Sequence, residues 1–272
     1  MKTILVATDF SATAFNAAAY AADMAQAIDA KLVLLHTYQV PVSYGEIPIA
    51  INMADFVKDI EKQLSLMVAQ LNARVNNEIN IDTQVKEGVF FYELKRTCDI
   101  MQPYAVVMGS QGTTAAERLL FGGHAVYAMR HLDWPLITVP QGAKFSAVKK
   151  IALACDFDNV IETIPVDEIK MLVADFNAEL HVLNTGKRTE FDADIVFESG
   201  LLEEMIGALH PQYHFISSGN TDQGIMDFVE KNGIDLLLVL PKRHGVLHKL
   251  LHKSITKRFV LHSHVPVMAI HT

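Results

Sequence analysis

Short apolar runs alternate along this chain with longer segments in which apolar residues recur every three or four positions. In the first half this pattern predicts strands in the runs and helices in the segments. The predicted strands are Ile4–Thr8, Lys31–His36, Ile79–Lys86, Ala105–Met108 and Leu136–Val139, and the predicted helices are Ala12–Ala30, Asn52–Asn76, Val89–Gln102 and Ala115–His131. Two prolines and a glycine mark Tyr38–Ala50 as a loop. Strands that alternate with helices indicate an α/β fold with a parallel sheet covered on both faces.

The second half repeats the first. The run KTILVAT ends at Asp9-Phe10, and the run KKIALAC ends at Asp156-Phe157. Each half also closes on an apolar run that a proline opens. A repeat of about 140 residues is too long for a solenoid unit and predicts two copies of one domain, 1–141 and 149–272, joined by a polar linker at Gln141–Val148.

The order of elements in the second half follows the same alternation. The predicted strands there are Lys150–Cys155, Leu180–Leu183, Tyr213–Ser217, Asp235–Leu240 and Val265–Ile270, and the predicted helices are Ile164–Asn177, Glu198–Leu209, Ile225–Asn232 and Thr256–His262. We therefore predict two doubly wound, open, parallel five-stranded sheets. Because an apolar edge strand needs a cover, we expect the last strands, Leu136–Val139 and Val265–Ile270, to meet and make a pseudo-dimer within the chain.

Composition narrows the class of protein. Half of the 272 residues are apolar, a fifth are charged and the formal net charge is −8, which is a globular balance and disfavours a general nucleic-acid partner. No apolar stretch approaches the ~20 residues of a membrane span, and the N-terminal run does not resemble a signal peptide. Cys98 and Cys155 form no motif. These observations predict a cytoplasmic protein with reduced thiols and no membrane contact.

One stretch near the C-terminal end is basic, although the chain as a whole is acidic. From Pro241 to Thr272 there is no Asp or Glu, whereas Lys242–Arg258 carries six basic residues and several histidines. This segregation favours a surface for an anion or an acidic partner. The alternatives are a solvated face or pairing with carboxylates of the first domain. His244, His248 and His252 have the spacing of one helix face, but no carboxylate or cysteine completes a zinc set nearby, so we predict no metal site.

A glycine pattern in the first half points to a phosphate. Gly109 and Gly112 follow a buried strand directly, and nine residues separate Gly112 from the pair Gly122-Gly123. Glycine lets backbone N–H groups approach a phosphate, and a helix N-terminus adds free amides. Asp9 ends the first strand and therefore lies on the same sheet edge, where a carboxylate suits ribose hydroxyls or a base amine. The alternative is that the glycines only form a strand-to-helix turn.

These motifs together resemble the universal stress protein family, whose pattern is Gly, two residues, Gly, nine residues, then Gly-Ser/Thr. The segments Ala7–Ser11 and Leu34–Tyr38 resemble the family as well. The resemblance covers the whole chain as two copies and implies an adenine nucleotide alpha hydrolase-like fold with ATP, ADP or AMP bound by some members, and with Mg²⁺ accompanying ATP.

Carried over residue by residue, the resemblance implies that Asp9 contacts the ribose or base and that the Thr37 backbone holds the adenine. It further implies that Gly109, Gly112, Gly122 and Gly123 line the phosphates. This chain departs from the family at Gly123, which stands where a Ser or Thr is usual. The loss of that hydroxyl removes about 1.5–3 kcal/mol of contact with a charged phosphate and favours a shorter phosphate chain.

The second copy has lost the pattern. Counting back from Pro266 places Leu240 and Arg243, or Pro241 and His244 with one gap, where the first copy has Gly109 and Gly112. We therefore predict a stress-response or signalling protein that binds an adenine nucleotide in its first domain only and is not an enzyme, since no nucleophile, carboxylate pair or Walker lysine stands in context. The alternatives are an interaction scaffold that binds no nucleotide and a nucleotide-hydrolysing enzyme, and a further homodimer is an open expectation.

Overall fold

The computed structural model of the protein describes residues 1–40, 52–110, 115–184, 193–216, 220–241 and 253–271. In the first half the strands are β1 (Lys2–Ala7), β2 (Ala30–Tyr38), β3 (Ile81–Glu87), β4 (Ala105–Gly109) and β5 (Leu136–Val139), and the helices are α1 (Ala12–Ala27), α2 (Met53–Arg74), α3 (Phe90–Met101) and α4 (Ala115–His131). In the second half the strands are β6 (Lys150–Cys155), β7 (Glu179–Asn184), β8 (Gln212–Phe215), β9 (Leu236–Val239) and β10 (Val267–Ala269), and the helices are α5 (Val160–Thr163), α6 (Val166–Phe176), α7 (Ala193–Ile206), α8 (Thr221–Lys231) and α9 (Lys253–His262).

The strands form one sheet in the order β3-β2-β1-β4-β5-β10-β9-β6-β7-β8. Within each half all neighbouring strands are parallel, as the alternation of strands and helices predicts. The expectation of two separate sheets needs one correction. The five-stranded sheets join at β5 and β10, which are antiparallel, and they make a single ten-stranded sheet.

The expected meeting of the last strands is confirmed at this seam. Thr138 of β5 lies opposite Val267 of β10 and donates a hydrogen bond from its Oγ1 to the carbonyl of that residue, at 3.3 Å. Helices α4 and α9 pack against each other beside the seam. Since the only edge strands of the described sheet are β3 and β8, the apolar strands β5 and β10 are covered by each other.

Helices cover the sheet on both faces. Helices α1 and α2 pack on one face with α6 and α7 of the second half, and α3 and α4 pack on the other face with α8 and α9. Each face has its own core, with alternate residues of the strands contributing to one or the other. The loops at the strand ends are therefore left free to carry function.

Some element bounds differ from the predicted ones for local reasons. The helix predicted over Ile164–Asn177 is α6 (Val166–Phe176), which begins after Pro165 at its N-cap, because proline lacks an N–H; the single-turn α5 lies before the predicted segment. The predicted helix Ala12–Ala30 ends at Ala27, and Asp29 with a φ of 51° turns the chain into β2. Most of the predicted loop Tyr38–Ala50 lies outside the described residues.

Candidate functional site

In the first half the strands β2 and β3 lie on one side of β1, and β4 and β5 lie on the other, so the strand order changes direction between β1 and β4. Strand β1 pairs with β2 on one side and with β4 on the other, so the connections that leave β1 and β4 diverge. In open α/β sheets ligands bind in the crevice outside the carboxyl ends of the strands at such a point. Asp9 follows β1, and Gly109 ends β4. The structure thus places these two predicted site residues on either side of the crevice.

The turn after β1 is fixed by its own side chains. Phe10 has a φ of 66°, and its N–H donates to Thr8 Oγ1 at 3.1 Å, which holds this unusual conformation. The N–H of Ser11 donates to Asp9 Oδ1 at 3.0 Å, and the Ser11 hydroxyl caps α1 by accepting from the N–H of Ala14 at 3.1 Å. The exposed Asp9 carboxylate is therefore oriented at the N-terminus of α1.

An aromatic pair lies beside this turn, and sequence reasoning missed it. The Phe10 ring stacks on His36 with centroids 4.4 Å apart, and His36 Nδ1 donates to the carbonyl of Thr8 at 2.8 Å. Thr37 follows His36 at the carboxyl end of β2, where it is half-buried and pairs with Lys86 of β3. Thr37 and Asp9 accordingly lie at the same edge of the sheet. The positive φ of a phenylalanine leaves no signal in the sequence.

Gly109 has a packing role that its sequence position did not reveal. A Cβ on Gly109 would lie 2.7 Å from Thr13 Cγ2 and 3.0 Å from the Thr13 carbonyl oxygen, so glycine lets the first turn of α1 approach β4 closely. Two hydroxyls flank this contact, Thr13 Oγ1 and Ser110 Oγ. Both are buried without a hydrogen-bond partner in the described part of the protein. Buried hydroxyls of this kind normally have a protein, water or ligand partner.

The remaining glycines of the pattern are arranged differently from Gly109. Gly112 lies outside the described residues. Gly122 and Gly123 lie within α4, about two turns after its start at Ala115, and Gly123 is exposed with open space where a Cβ would stand. Because the amides of a helix interior donate to carbonyls one turn earlier, the N–H groups of this glycine pair are committed to the helix.

Strand register decides which residues of the second half replace the glycines. Ile4 of β1 lies opposite Ala105 of β4, and Ile151 of β6 lies opposite Leu236 of β9. Counting four residues on from each partner aligns Gly109 with Leu240, which is the ungapped alternative. Leu240 is buried, so a side chain fills the place where Gly109 admits the first turn of α1.

The helix after β6 shows the same divergence. In the first half α1 runs unbroken over Ala12–Ala27, whereas the second half has the single-turn α5 (Val160–Thr163) and then α6. The turn itself is retained, since Phe157 has a φ of 54° and its N–H donates to Cys155 Sγ at 3.4 Å, as Phe10 donates to Thr8. The second half therefore keeps the turn and lacks the glycine contact.

Most of the basic stretch Lys242–Arg258 lies outside the described residues or has no described side chain. Its described side chain is Arg258, whose guanidinium lies 3.0 Å from Asp222 Oδ2 at the start of α8. This pairing is made within the second half and not with the first-domain carboxylates that the competing account expects. The anion surface stays a prediction.

Two other kinds of feature are absent from the described parts of the chain. None of the helices described there is long and apolar enough to cross a membrane. No cluster of three or more His, Cys, Asp or Glu side chains in those parts could hold a metal ion. Cys98 and Cys155 are both buried, and neither forms a disulfide in the described structure.

Comparison with known proteins places the chain among relatives of one kind. The sequence model of the universal stress protein family matches it twice, over residues 1–140 and 148–271. Universal stress protein MJ0531 of Methanocaldococcus jannaschii is 25% identical over 145 residues, which is 53% of this chain and 84% of that protein.

Solved structures have the same fold over the whole length. A universal stress protein from Archaeoglobus fulgidus superposes with a TM-score of 0.71 at 19% identity, and the match covers 99% of this chain and 96% of that one. A protein from Pseudomonas aeruginosa described as a putative universal stress protein superposes with a TM-score of 0.59 at 11% identity, covering 100% of this chain and 93% of that one. At these identities the likeness shows the tandem fold alone.

Proposed function

The chain belongs to the universal stress protein family, and from that premise we propose that its first half binds an adenine nucleotide at the crevice between β1 and β4. We further propose that it acts in the cytoplasm in a stress response or in signalling, through binding and not through metabolic catalysis. Asp9 would contact the ribose or base, the Thr37 backbone the adenine, and the loop from Gly109 to Gly123 the phosphates.

The observation that carries this proposal is the set of polar groups beside the carboxyl ends of β1 and β4. Among the described residues, Thr13 Oγ1 and Ser110 Oγ are buried without hydrogen-bond partners, and both flank Gly109. The exposed Asp9 carboxylate lies at the same edge, at the N-terminus of α1. Two hydroxyls, a carboxylate and the amides of a helix N-terminus at one edge of the sheet suit a sugar phosphate better than an apolar ligand. These residues fit a nucleotide.

Binding of the nucleotide's phosphates requires a conformational change in α4. Because Gly122 and Gly123 lie inside this helix, their amides reach a phosphate only if the first two turns of α4 open. Gly123 also lacks the hydroxyl that the family pattern has there. Both features weaken the hold on a long phosphate chain, so we propose AMP or ADP as the better ligands, with Mg²⁺ entering only together with ATP.

The second half is proposed to be free of nucleotide. Leu240 fills the position of Gly109, and the following residue is Pro241, which has no N–H to offer. Asp156 remains in place after β6, but a carboxylate alone does not hold a nucleotide. Nucleotide binding by the first half alone is therefore the result expected if Gly109 and the loop after it hold the phosphates.

Calorimetric titration with ATP, ADP and AMP tests the proposal. Gly112→Val should abolish binding, because its Cβ would stand where a phosphate approaches. The matched control is Asp156→Ala with Lys253→Ala, which should leave affinity unchanged. An equal loss in both variants would show that the asymmetry argument is wrong. Mass spectrometry of protein purified without added ligand should show bound AMP, ADP or ATP at one per chain.

The packing of Gly109 against Thr13 favours a second function. Gly109 is required for the packing of α1 against β4 whether or not a ligand binds. An interaction scaffold that binds no nucleotide would need the glycine for this reason alone. In that case wild-type protein gives no heat with any of the three nucleotides and purifies without one, while Gly109→Ala still lowers stability.

A further inference from the structure

Two histidines of the second half are joined directly by a hydrogen bond. His181 on β7 and His214 on the neighbouring β8 lie with Nδ1 of the first 3.0 Å from Nε2 of the second. The rings are close to parallel, and Phe228 of α8 covers them with its centroid 4.6 Å from that of His214. His181 is buried, with 5% of its surface exposed. A hydrogen bond between two imidazoles requires one nitrogen to donate and the other to accept.

A carboxylate decides which ring donates. Glu179 Oε2 lies 3.6 Å from His181 Nε2, on the far side of the ring from His214. A negative charge there favours a proton on Nε2 of His181, which leaves Nδ1 as the acceptor. His214 then donates from its own Nε2. At neutral pH the pair is therefore two neutral rings held by a single proton, with the tautomers set by Glu179.

The surroundings oppose added positive charge. Burial lowers the pKa of His181, and Lys150 on β6 lowers it further, while Glu179 raises it. Burial also lowers the pKa of His214, with a smaller contribution in the same direction from His181. Helix α8 meets the pair with the uncharged ring of Phe228. The groups that act on the pair from β6, β7 and α8 thus include one carboxylate, and that one is exposed to solvent.

The pair lies at the edge of the sheet, where the outermost strand is short. Strand β8 is the outermost strand of the described sheet on this side, it has four residues, and it pairs only with β7. In the first half the register places Val33 and Gln84 at the positions of His181 and His214. Those two side chains do not titrate. The histidine pair is therefore a property of the second half alone.

We propose that the His181–His214 pair is a pH-sensitive clasp that holds β8 and α8 against β7 at neutral pH and releases them in acid.

The release follows from the proton count. One added proton can be shared between the rings, which keeps the hydrogen bond and is favoured by Glu179. When both rings are protonated each nitrogen of the contact carries a hydrogen, so the bond is lost and two positive charges face each other beneath Phe228. His214 is half-buried and on the edge strand, so the strain is relieved most easily by outward movement of β8.

The direction of the pH dependence is fixed by the lowered pKa values. Below the ordinary histidine pKa of 6.5 the opened chain takes up protons before the closed state does. The clasp is fully effective above this pH. Its contribution is lost as the pH falls from 6.5 toward the lower pKa of the closed state.

Hydrogen exchange followed by mass spectrometry on the full chain at pH 7.5 and pH 5.0, corrected for intrinsic exchange rates, tests the proposal. Relative to β1 and β2, protection of residues 212–215 and 221–231 should fall at least tenfold at the lower pH. The variant His181→Val with His214→Gln places the first-half residues at both positions and should abolish this differential loss. An unchanged protection ratio in the wild type, or an equal loss in the variant, would overturn the proposal.

A second measurement keeps the test decisive if the variant does not fold. Nitrogen-15 NMR of histidines in the wild-type chain should show His181 protonated on Nε2 at neutral pH, and both rings titrating below 6.5. Glu179→Gln should shift the His181 titration to lower pH, because the carboxylate raises its pKa. Titration of both rings at 6.5, independent of Glu179, would refute the clasp.

Discussion

Lys2 of β1 and Asp175 of α6 form an ion pair between the two halves of the chain, with Nζ 2.5 Å from Oδ1. Their side chains are 32% and 16% exposed, so the pair is neither fully solvated nor fully buried. The Lys2 ammonium also lies 5.4 Å from the centroid of the Tyr104 ring. Beside it the linker residue Phe145 contacts Tyr20 of the first half and Phe176 of the second. The halves are thus tied by side chains as well as by the sheet.

Removal of this ion pair should weaken the fold measurably. In a double-mutant cycle with Lys2→Met and Asp175→Asn, we expect a coupling of about 1 kcal/mol in the free energy of unfolding, since partial burial raises the value above that of an exposed pair. The control is Lys58 and Asp55 on α2, 3.9 Å apart and both largely exposed, for which the coupling should be near zero. Equal couplings in urea denaturation would contradict the stabilising role assigned to the Lys2–Asp175 ion pair.

Alanine substitutions at Gly109 and Gly123 should change the free energy of unfolding in opposite directions. Gly109→Ala forces a Cβ against the backbone of Thr13, and we expect a loss of about 1–3 kcal/mol in the free energy of unfolding. Gly123→Ala adds a Cβ in open space on an exposed helix position and should increase stability by up to about 1 kcal/mol. Chemical denaturation without ligand measures both. Equal effects would mean that the α1–β4 contact is not as close as described.

The sequence predicts the architecture of the chain well because period and repetition are strong signals. The alternation of strands and helices gives the parallel order, and the apolar edge strands give the seam between β5 and β10. The start of α6 after Pro165 could have been inferred from the missing N–H, and the start of α8 from Asn220, whose side chain caps that helix. The joining of the two sheets is a feature of the tertiary structure. The apolar edge strands suggest it, and the pairing register of β5 with β10 determines it.

The candidate site is only partly readable from the sequence. Asp9 and Gly109 follow apolar runs, so their place at the crevice can be inferred from topology. The packing of Thr13 against Gly109 and the φ of 66° at Phe10 depend on tertiary contacts, and neither residue type signals them. The His181–His214 contact needs strand register, because 33 residues separate the two rings.

Restoring the missing hydroxyl should change nucleotide selectivity. If Gly123 lines the phosphates, Gly123→Ser should tighten ATP binding by roughly tenfold or more, which corresponds to the about 1.5–3 kcal/mol of a hydrogen bond to a charged group. AMP affinity should change less, because its phosphate chain is short. Gly123→Ala is the matched control, since it adds the Cβ without the hydroxyl. Calorimetric titrations in which both variants bind ATP equally would remove Gly123 from the proposed site.

Cys98 should be unreactive in the folded protein. The side chain is fully buried on α3, and burial raises the pKa of its thiol to about 12. At pH 8 the reactive thiolate is then roughly one part in ten thousand, and the reagent has no access to it. In the variant Cys155→Ser, alkylation by iodoacetamide should be at least a thousandfold slower in native buffer than in denaturant. The rate should rise with urea in step with unfolding. Rapid labelling at pH 8 in native buffer would show that α3 opens locally or that the thiol is less buried than described.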